Sequence, residues 1–499
     1  MLGTSNTSAS NPNVVYVATS NRRRSSWRIG DKGHTLVLMR DGFTDVVDFM
    51  TAFCIHVLEA RKLRIRLQSM ISPRAPDVLN DAIAAIKDNN LHTAEIEELQ
   101  RHVLGQLPLT STERAGLLHM WPHTAIQKLY HIIMHQEQYI VRVDTSLSKR
   151  FASDSYFQWA LKIRSHIFKA LRCSESDSLP EDVTISILSS RHRSTKNLLC
   201  SLVETHMESI EAYHDASTDI PGLSFFNTRD RWFYTLFRMI NEDGALRDEY
   251  KVVLKDCGFY TFEDHTSSGL QVDVIDVSKL KVQLVDPFLR ETVVEAMASK
   301  HRKFIINVDF TFGGQAEGIM RALFLMFGHR ITSVNVVGKC AGISGCRGDV
   351  LLPRKLIFSK AAFGEDTADE FRNCLHTDVT ASDIRELIDP ARKVHTGSCV
   401  TIPGMILQND ALIRFYKIVY QADGMEMESS YIERQVKECA NLAVLRDDIH
   451  TRYVFYMSDM PKGNEDGSKS TGKSRSSAES ITTMYASLRA VLKATLTGL

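Results

Sequence analysis

VVGKCAGI at residues 336–343, followed by GDVLLP at residues 348–353, is the stretch on which the fold turns. An apolar run that ends in glycine and small residues, then a turn, then a second apolar run, predicts two strands joined tightly. Small residues at such a turn let a flat ligand lie against backbone. Outward from it, short apolar runs alternate with helical stretches after about Leu270. Strands are expected at Gln271–Ile275, Lys281–Val285, Phe304–Val308, Ile331–Val337, Asp349–Leu352, His395–Val400 and Tyr453–Met457. Helices are expected at Ala316–Phe327, Met405–Tyr420, Glu428–Leu442 and Ala478–Leu496. This alternation predicts an α/β domain with a largely buried sheet, whose ligands gather at strand ends.

From about Asp45 to Glu249 the period changes. Tyr156, Trp159, Leu161, Ile163, Ile167 and Leu171, or Leu202, Val203, His206, Met207 and Ile210, recur largely at three- and four-residue spacing, as on a helix burying one face. The expected organisation is a disordered tail over residues 1–30, a mainly helical domain over 31–250 and an α/β domain over 251–499 with a mobile loop at 462–477. His131 and His135, four apart, share a helical face, but no third metal ligand stands nearby. They read as histidines at a packing boundary, and no metal is assigned. Arg22, Arg23, Arg24 and Arg28 read as a solvated tail.

The 499 residues carry 60 Lys+Arg against 60 Asp+Glu, and 43% of them are hydrophobic. There is apolar material for a core in each of two or three domains, which excludes a chain disordered throughout. A net charge of zero argues against coating nucleic acid or an anionic membrane surface. No apolar run approaches the roughly 20 residues that span a bilayer, and residue 2 is not the glycine that myristoylation needs. A cytoplasmic protein is expected. The 9 cysteines are scattered without a CxxC pair and read as reduced residues.

Gly467-Ser468-Lys469-Ser470-Thr471-Gly472-Lys473-Ser474 satisfies the Walker A pattern, yet its context rejects a nucleotide-binding P-loop. A P-loop follows a buried strand directly, so that backbone amides and a helix N-terminus converge on phosphates. Here the preceding residues, Lys462-Gly463-Asn464-Glu465-Asp466, are hydrophilic, and about one helix of chain remains afterwards. A Ser/Gly/Lys loop is the better reading.

Two further segments carry chemistry. In Gly424-Met425-Glu426-Met427-Glu428-Ser429, carboxylates alternate with methionines ahead of a helix; in Tyr453–Met457 leading to Ser458-Asp459-Met460-Pro461, a strand delivers an acid at its end. Singly, Glu428 reads equally as a helix N-terminal charge, Asp459 as a turn residue and Lys339 as a surface lysine. Together and in order, VGKCAGI with GDVLLP, HTGSCVT at 395–401, GMEMESS and YMSDMP resemble the nucleoside phosphorylase superfamily, over roughly the last 200 to 250 residues. That resemblance implies an α/β domain with a central mixed sheet after a mainly helical one, and cleavage of the N-glycosidic bond of a purine nucleoside or nucleotide. By it, Asp459 protonates or hydrogen-bonds N7 of the departing base and Glu428 accepts the ribose hydroxyls. Met427 and Glu426 lie at the sugar, while Cys340, Ala341, Gly342, Ser458 and Thr401 border the base. Gly313 and Gly314, with Lys339 and Arg475, stand on the side of the nucleophile or phosphate.

Departures from the family pattern bear on the nucleophile. Where the phosphorylases carry a phosphate-gripping arginine this chain has Val336, and where they support the aspartate with an arginine it has Ser480, with Arg475 or Lys473 as substitutes. SDMP together with Cys340 looks most similar to AMP nucleosidase, so hydrolysis is the expected reaction. Phosphorolysis with inorganic phosphate, or a nucleotide-sensing scaffold without turnover, are the alternatives. The first half does not look like that enzyme's regulatory domain, and the base that activates water is unassigned. No cofactor is expected, and a homo-oligomer is implied by the resemblance alone.

Overall fold

The strand expected from residue 331 runs further than its apolar core: in the computed structural model of the chain it spans Ile331–Gly342. The structure describes residues 14–17, 25–29, 34–38, 43–69, 75–88, 93–134, 140–141, 148–174, 178–217, 220, 225–263, 270–359, 368–372, 377–404, 410–461 and 478–498. His135, Arg22–Arg24, the Walker-like segment, Lys473 and Arg475 lie outside them.

The chain forms two compact units, one of residues 47–144 and one of residues 1–46 with 145–499. The former is helical: α1 (Phe43–Ser69, which begins just before it), α2 (Ala75–Asp88), α3 (Thr93–Gln106), α4 (Ser111–Met120) and α5 (Ala125–Met134), the last carrying His131. Its own core holds Leu67, Leu79, Leu104, Ile126, Leu129 and Ile133. The entry into α4 is fixed by a capping box, Thr110 accepting from the Glu113 amide while the Glu113 carboxylate accepts from that of Thr110.

In the other unit, β1 (Val14–Val17), β2 (Ser25–Ile29) and β3 (His34–Leu38) make an antiparallel sheet. Two of these strands fall within the first 30 residues, read above as a disordered tail; runs of Val, Tyr, Trp and Ile favour strand even beside a polar terminus. The chain continues through α6 (Ser148–Leu171), β4 (Val183–Ser189), α7 (His192–Leu199), α8 (Met207–Ala216), α9 (Thr228–Glu242) and α10 (Gly244–Asp256). There follow β5 (Phe259–Glu263), β6 (Gln271–Asp276), α11 (Arg290–Ala298), β7 (Arg302–Val308), α12 (Gln315–Phe327), β8 (Ile331–Gly342), β9 (Val350–Ser359) and β10 (Ala368–Arg372). Last come α13 (Ala381–Arg385), β11 (Val394–Thr401), α14 (Asp410–Ile418), β12 (Ala422–Glu426), α15 (Ser429–Asn441), β13 (His450–Asp459) and α16 (Ala478–Thr497).

β4 corrects the boundary expected at residue 250, because it belongs to the large sheet although it lies in the stretch read as helical. In VTISILS, Val183, Ile185 and Ile187 share one core cluster while Leu188 enters the other, so the strand is buried on both sides. The segment Lys281–Val285, expected to be a strand, contains a 3-10 turn at Val282–Leu284; Asp286 and Pro287 open another such turn at once and leave no length for a strand.

The sheet is mixed, as expected, with ten strands among the described residues. β4 runs parallel to β7 and β8, and β8 parallel to β13. Beyond its pairing with β4, β8 enters a closed ring: β13 pairs β9 antiparallel, β9 pairs β11 parallel, β11 pairs β12 parallel, and β12 returns antiparallel to β8. Alternate residues feed two layers. Phe304, Ile306 and Val308 of β7 and Tyr453, Phe455 and Met457 of β13 pack towards α6, α12 and α15; Ile305, Val454 and Tyr456 pack towards α9, α10 and α16. Each fully buried aliphatic or aromatic side chain of this kind contributes about 1.5–3 kcal/mol. The ring has a core of its own, including Ala341, Ile357, Val400, Ile413, Tyr416 and Met425.

One charged network crosses the second layer. Arg489 of α16 donates to Asp230 of α9 at 2.7 Å and to Asp286 at 3.1 Å, all three side chains being almost fully buried. Arg229 reaches Asp286 at 3.2 Å. Among the described residues no helix is long and apolar enough to cross a membrane.

Candidate active site

Where β12 ends, backbone and side chains build a carboxylate clamp. Glu426 is 5% exposed, and its Oε2 accepts from the amides of Glu428 at 2.7 Å and Ser429 at 2.8 Å and from Ser429 Oγ at 2.9 Å. Its other oxygen accepts from Thr401 Oγ1 at the end of β11, the residue opposite it in register. Thr401 Oγ1 also accepts from the Ser430 amide at 3.1 Å, with Ser430 Oγ 2.7 Å away. Burial raises the Glu426 pKa above the ordinary carboxylate value, although the hydrogen bonds from Thr401, Glu428 and Ser429 pull the other way. Glu426 and Thr401, both expected to touch substrate, therefore hold the turn itself. The residue so held is Glu428, half-buried at the N-cap of α15, where its own side chain does not cap the helix. Met427, beside it, packs partly buried against the ring core.

A Thr401→Val chain loses the hydroxyl that links β11, Glu426 and α15 while keeping its shape. We expect about 1–3 kcal/mol less stability in urea denaturation, because Glu426 Oε1 and the Ser430 amide lose a buried partner. An unchanged midpoint would show that the clamp carries no stability.

The acid lies on the neighbouring strand. Asp459 ends β13, exposed, opposite Ala341 of β8, and its Oδ2 accepts from Ser458 Oγ at 2.8 Å. Cys340 connects the two carboxylate motifs: burial pushes its thiol pKa far up, and the charges of Glu426 and Asp459 push it further. Strand alternation divides the predicted base-lining trio, since Cys340 belongs to the large core and Ala341 to the ring core. Gly342 lies under methionine; a Cβ there would come 2.6 Å from the Met460 sulfur. Gly342 thus lies against Met460, and the charges of Glu426 and Asp459 both reach Cys340.

On the nucleophile side, Gly313 has φ +59, which suits glycine, and Gly314 caps α12. Lys339 is exposed on β8. Sequence reasoning missed the turn after β4. Arg191 is the N-cap of α7, and its charge acts on Asp309 just beyond β7 and on Tyr456 of β13; Tyr456 in turn feels Cys340 and Asp459. His192 Nδ1 lies 3.3 Å from Asp309 Oδ2. Burial opposes ionisation of Asp309, yet the nearby His192 ring, the Phe310 amide and Arg191 hold its pKa below the usual range. The signal available was a His and an Asp each just past an apolar strand, the first of which was hidden in the helical half.

A protein-family profile described as a family of unknown function, DUF6909, matches residues 5–497. The chain belongs to that family. No curated protein matches this DUF6909 chain. Solved structures similar to it include a methylthioadenosine nucleosidase described as putative, from Weissella paramesenteroides, at 13% identity and a TM-score of 0.34, covering 63% of this chain and 97% of that one. The native futalosine hydrolase of Helicobacter pylori is similar at 12% identity and a TM-score of 0.34, covering 62% and 97%. The 5′-methylthioadenosine/S-adenosylhomocysteine nucleosidase of Campylobacter jejuni is similar at 12% identity and a TM-score of 0.35, covering 63% and 98%.

Proposed function

We propose that this chain cleaves the N-glycosidic bond of a purine nucleoside or nucleotide by hydrolysis, in the manner of AMP nucleosidase. The observation that supports this reading is the meeting of three motifs: Asp459 and Met425 both lie opposite Ala341, and the charges of Asp459 and Glu426 both reach Cys340, with Glu428 held beside Glu426. Cleavage passes through a sugar with oxocarbenium character, so it needs a held sugar and a stabilised leaving base. Glu428, its backbone amide fixed by Glu426, takes the ribose hydroxyls. Asp459, at an open strand end with Ser458 beside it, meets N7 of the base. Met427 gives the sugar an adaptable apolar floor.

Phosphorolysis is the second reading, and Arg191 is the observation that favours it: a guanidinium stands at the end of β4 although none is found at residues 336 or 480. Incubation with adenosine, inosine, guanosine and AMP, with and without inorganic phosphate, tests both. Free base is expected without phosphate, together with free sugar. Base release that strictly requires phosphate would sink hydrolysis, and no release from any of the four would sink glycosidic cleavage altogether.

A further inference from the structure

β4 and β7 are parallel neighbours with Ser189 opposite Val308, so the residues that follow the two strands emerge side by side. His192 opens α7 on one side and Asp309 leaves β7 on the other. α7 buries polar as well as apolar residues, His192, Ser194, Thr195, Lys196 and Asn197 together with Leu198 and Leu199. Polar residues that are buried are held by partners. Ser190 Oγ lies 2.8 Å from Thr195 Oγ1 and 3.0 Å from Asn307 Oδ1, and Asn197 reaches the Tyr485 hydroxyl at 2.8 Å. Asn307 Nδ2 and Thr311 Oγ1, on either side of Asp309 in sequence, are buried without a protein hydrogen-bond partner. Buried amide and hydroxyl groups of this kind take water or a ligand.

We propose that His192, oriented by Asp309, is the base that activates the attacking water. The inference rests on the glycosidic reading above and supplies the group that reading lacks. His192 Nδ1, buried and itself without a hydrogen-bond partner, lies 3.3 Å from Asp309 Oδ2, so a small turn of the ring gives the carboxylate the Nδ1 proton and leaves Nε2 as the proton acceptor. In the step, the water oxygen bonds to C1′ as its proton passes to His192 Nε2. The C1′–N9 bond breaks, and its electron pair leaves with the purine, which takes a proton at N7 from the Asp459 carboxyl. His192 then loses its proton to solvent and Asp459 regains one, so that each turnover consumes one water and yields free base and free sugar. Asp309 acts through His192 and is a positioning residue. Arg191 bears on the same carboxylate and favours its ionised form.

The test uses the full chain with adenosine and AMP, following free base, the sugar product and the melting temperature with adenine. His192→Ala is expected to slow base release by about 10²–10⁴-fold, while the adenine-induced melting shift persists. Asp309→Asn is expected to lower kcat with KM little changed and to move the acid limb of the pH–rate profile, Asp309→Glu restoring part of the rate. His192→Ala at the parental rate, or Asp309→Asn with kcat and acid limb unaltered, would overturn the dyad alone. Ribose 1-phosphate as the sole sugar product would overturn it too, leaving glycosidic cleavage in place. A parent chain that releases no base from either substrate would overturn both readings.

Discussion

Asp459→Asn is expected to slow release of free purine by about 10²–10⁴-fold, with the folded chain and its adenine binding intact. Asn keeps the shape of Asp and can still accept from Ser458 Oγ, which lies 2.8 Å from Asp459 Oδ2. What it cannot do is give N7 a proton, so the purine would leave as a poorer leaving group. Asp459 is exposed at the end of β13, and surface substitutions away from networks usually change stability by no more than about 0.5 kcal/mol. A lower rate at an unchanged melting temperature would therefore report chemistry rather than folding. A variant releasing base within threefold of the parent would remove Asp459 from the reaction. Glu428→Ala makes a useful contrast, because it should weaken nucleoside binding more than adenine binding.

Arg489→Met is the largest expected loss of stability, about 3–5 kcal/mol at pH 8, since removing one partner of a buried ion pair strands the others. Met fills a similar volume but leaves Asp230 and Asp286 together in the second layer. Burial pushes the Asp230 pKa up to about 6 even with Arg489 beside it; Asp286 adds to the rise and Arg229 opposes it. The sign of the pH dependence follows. An unfolded Asp titrates near 3.9, so in the parent Asp230 favours the folded state most below about pH 4, and that contribution is lost as pH rises through 6. Without Arg489 the carboxyl titrates higher still, and the deficit of the variant should be largest at pH 8 and smaller at pH 5. Urea denaturation at both values measures it. An equal deficit at the two pH values would mean that lost packing, not stranded charge, is responsible.

Much of this architecture was legible because its strands are short, apolar and bounded by glycine or acid. The expected segments at residues 304–308, 331–337 and 453–457 all lie within β7, β8 and β13, and the helices from 316 and 428 are α12 and α15. β12 was not expected. Its sequence, ADGME, has no apolar alternation, and it is a strand because β8 and β11 pair with it. The same limit explains the site. Thr401 was visible just past an expected strand and Glu426 as a carboxylate ahead of a helix, but only the register of β11 against β12 shows that they bind each other. His192 and Asp309 could not be paired from sequence, since their meeting depends on β4 lying beside β7, and β4 sits in a stretch whose surroundings are helical.

The long strand β8 has a consequence for how the site can be watched. It is bonded along its first half to β4, along nearly all of its length to β13, and at its tip to β12, so the amides of residues 331–342 close both the open sheet and the ring. A slip of one residue in that strand would exchange the sides on which Cys340 and Ala341 emerge. Opening it would require breaking pairings on both flanks at once, which places it among the last segments to exchange backbone hydrogens for deuterium. The exchange rate at Cys340–Gly342 thus becomes a clock for the base pocket: a ligand that tightens the tip should slow those amides before it alters any others in the strand.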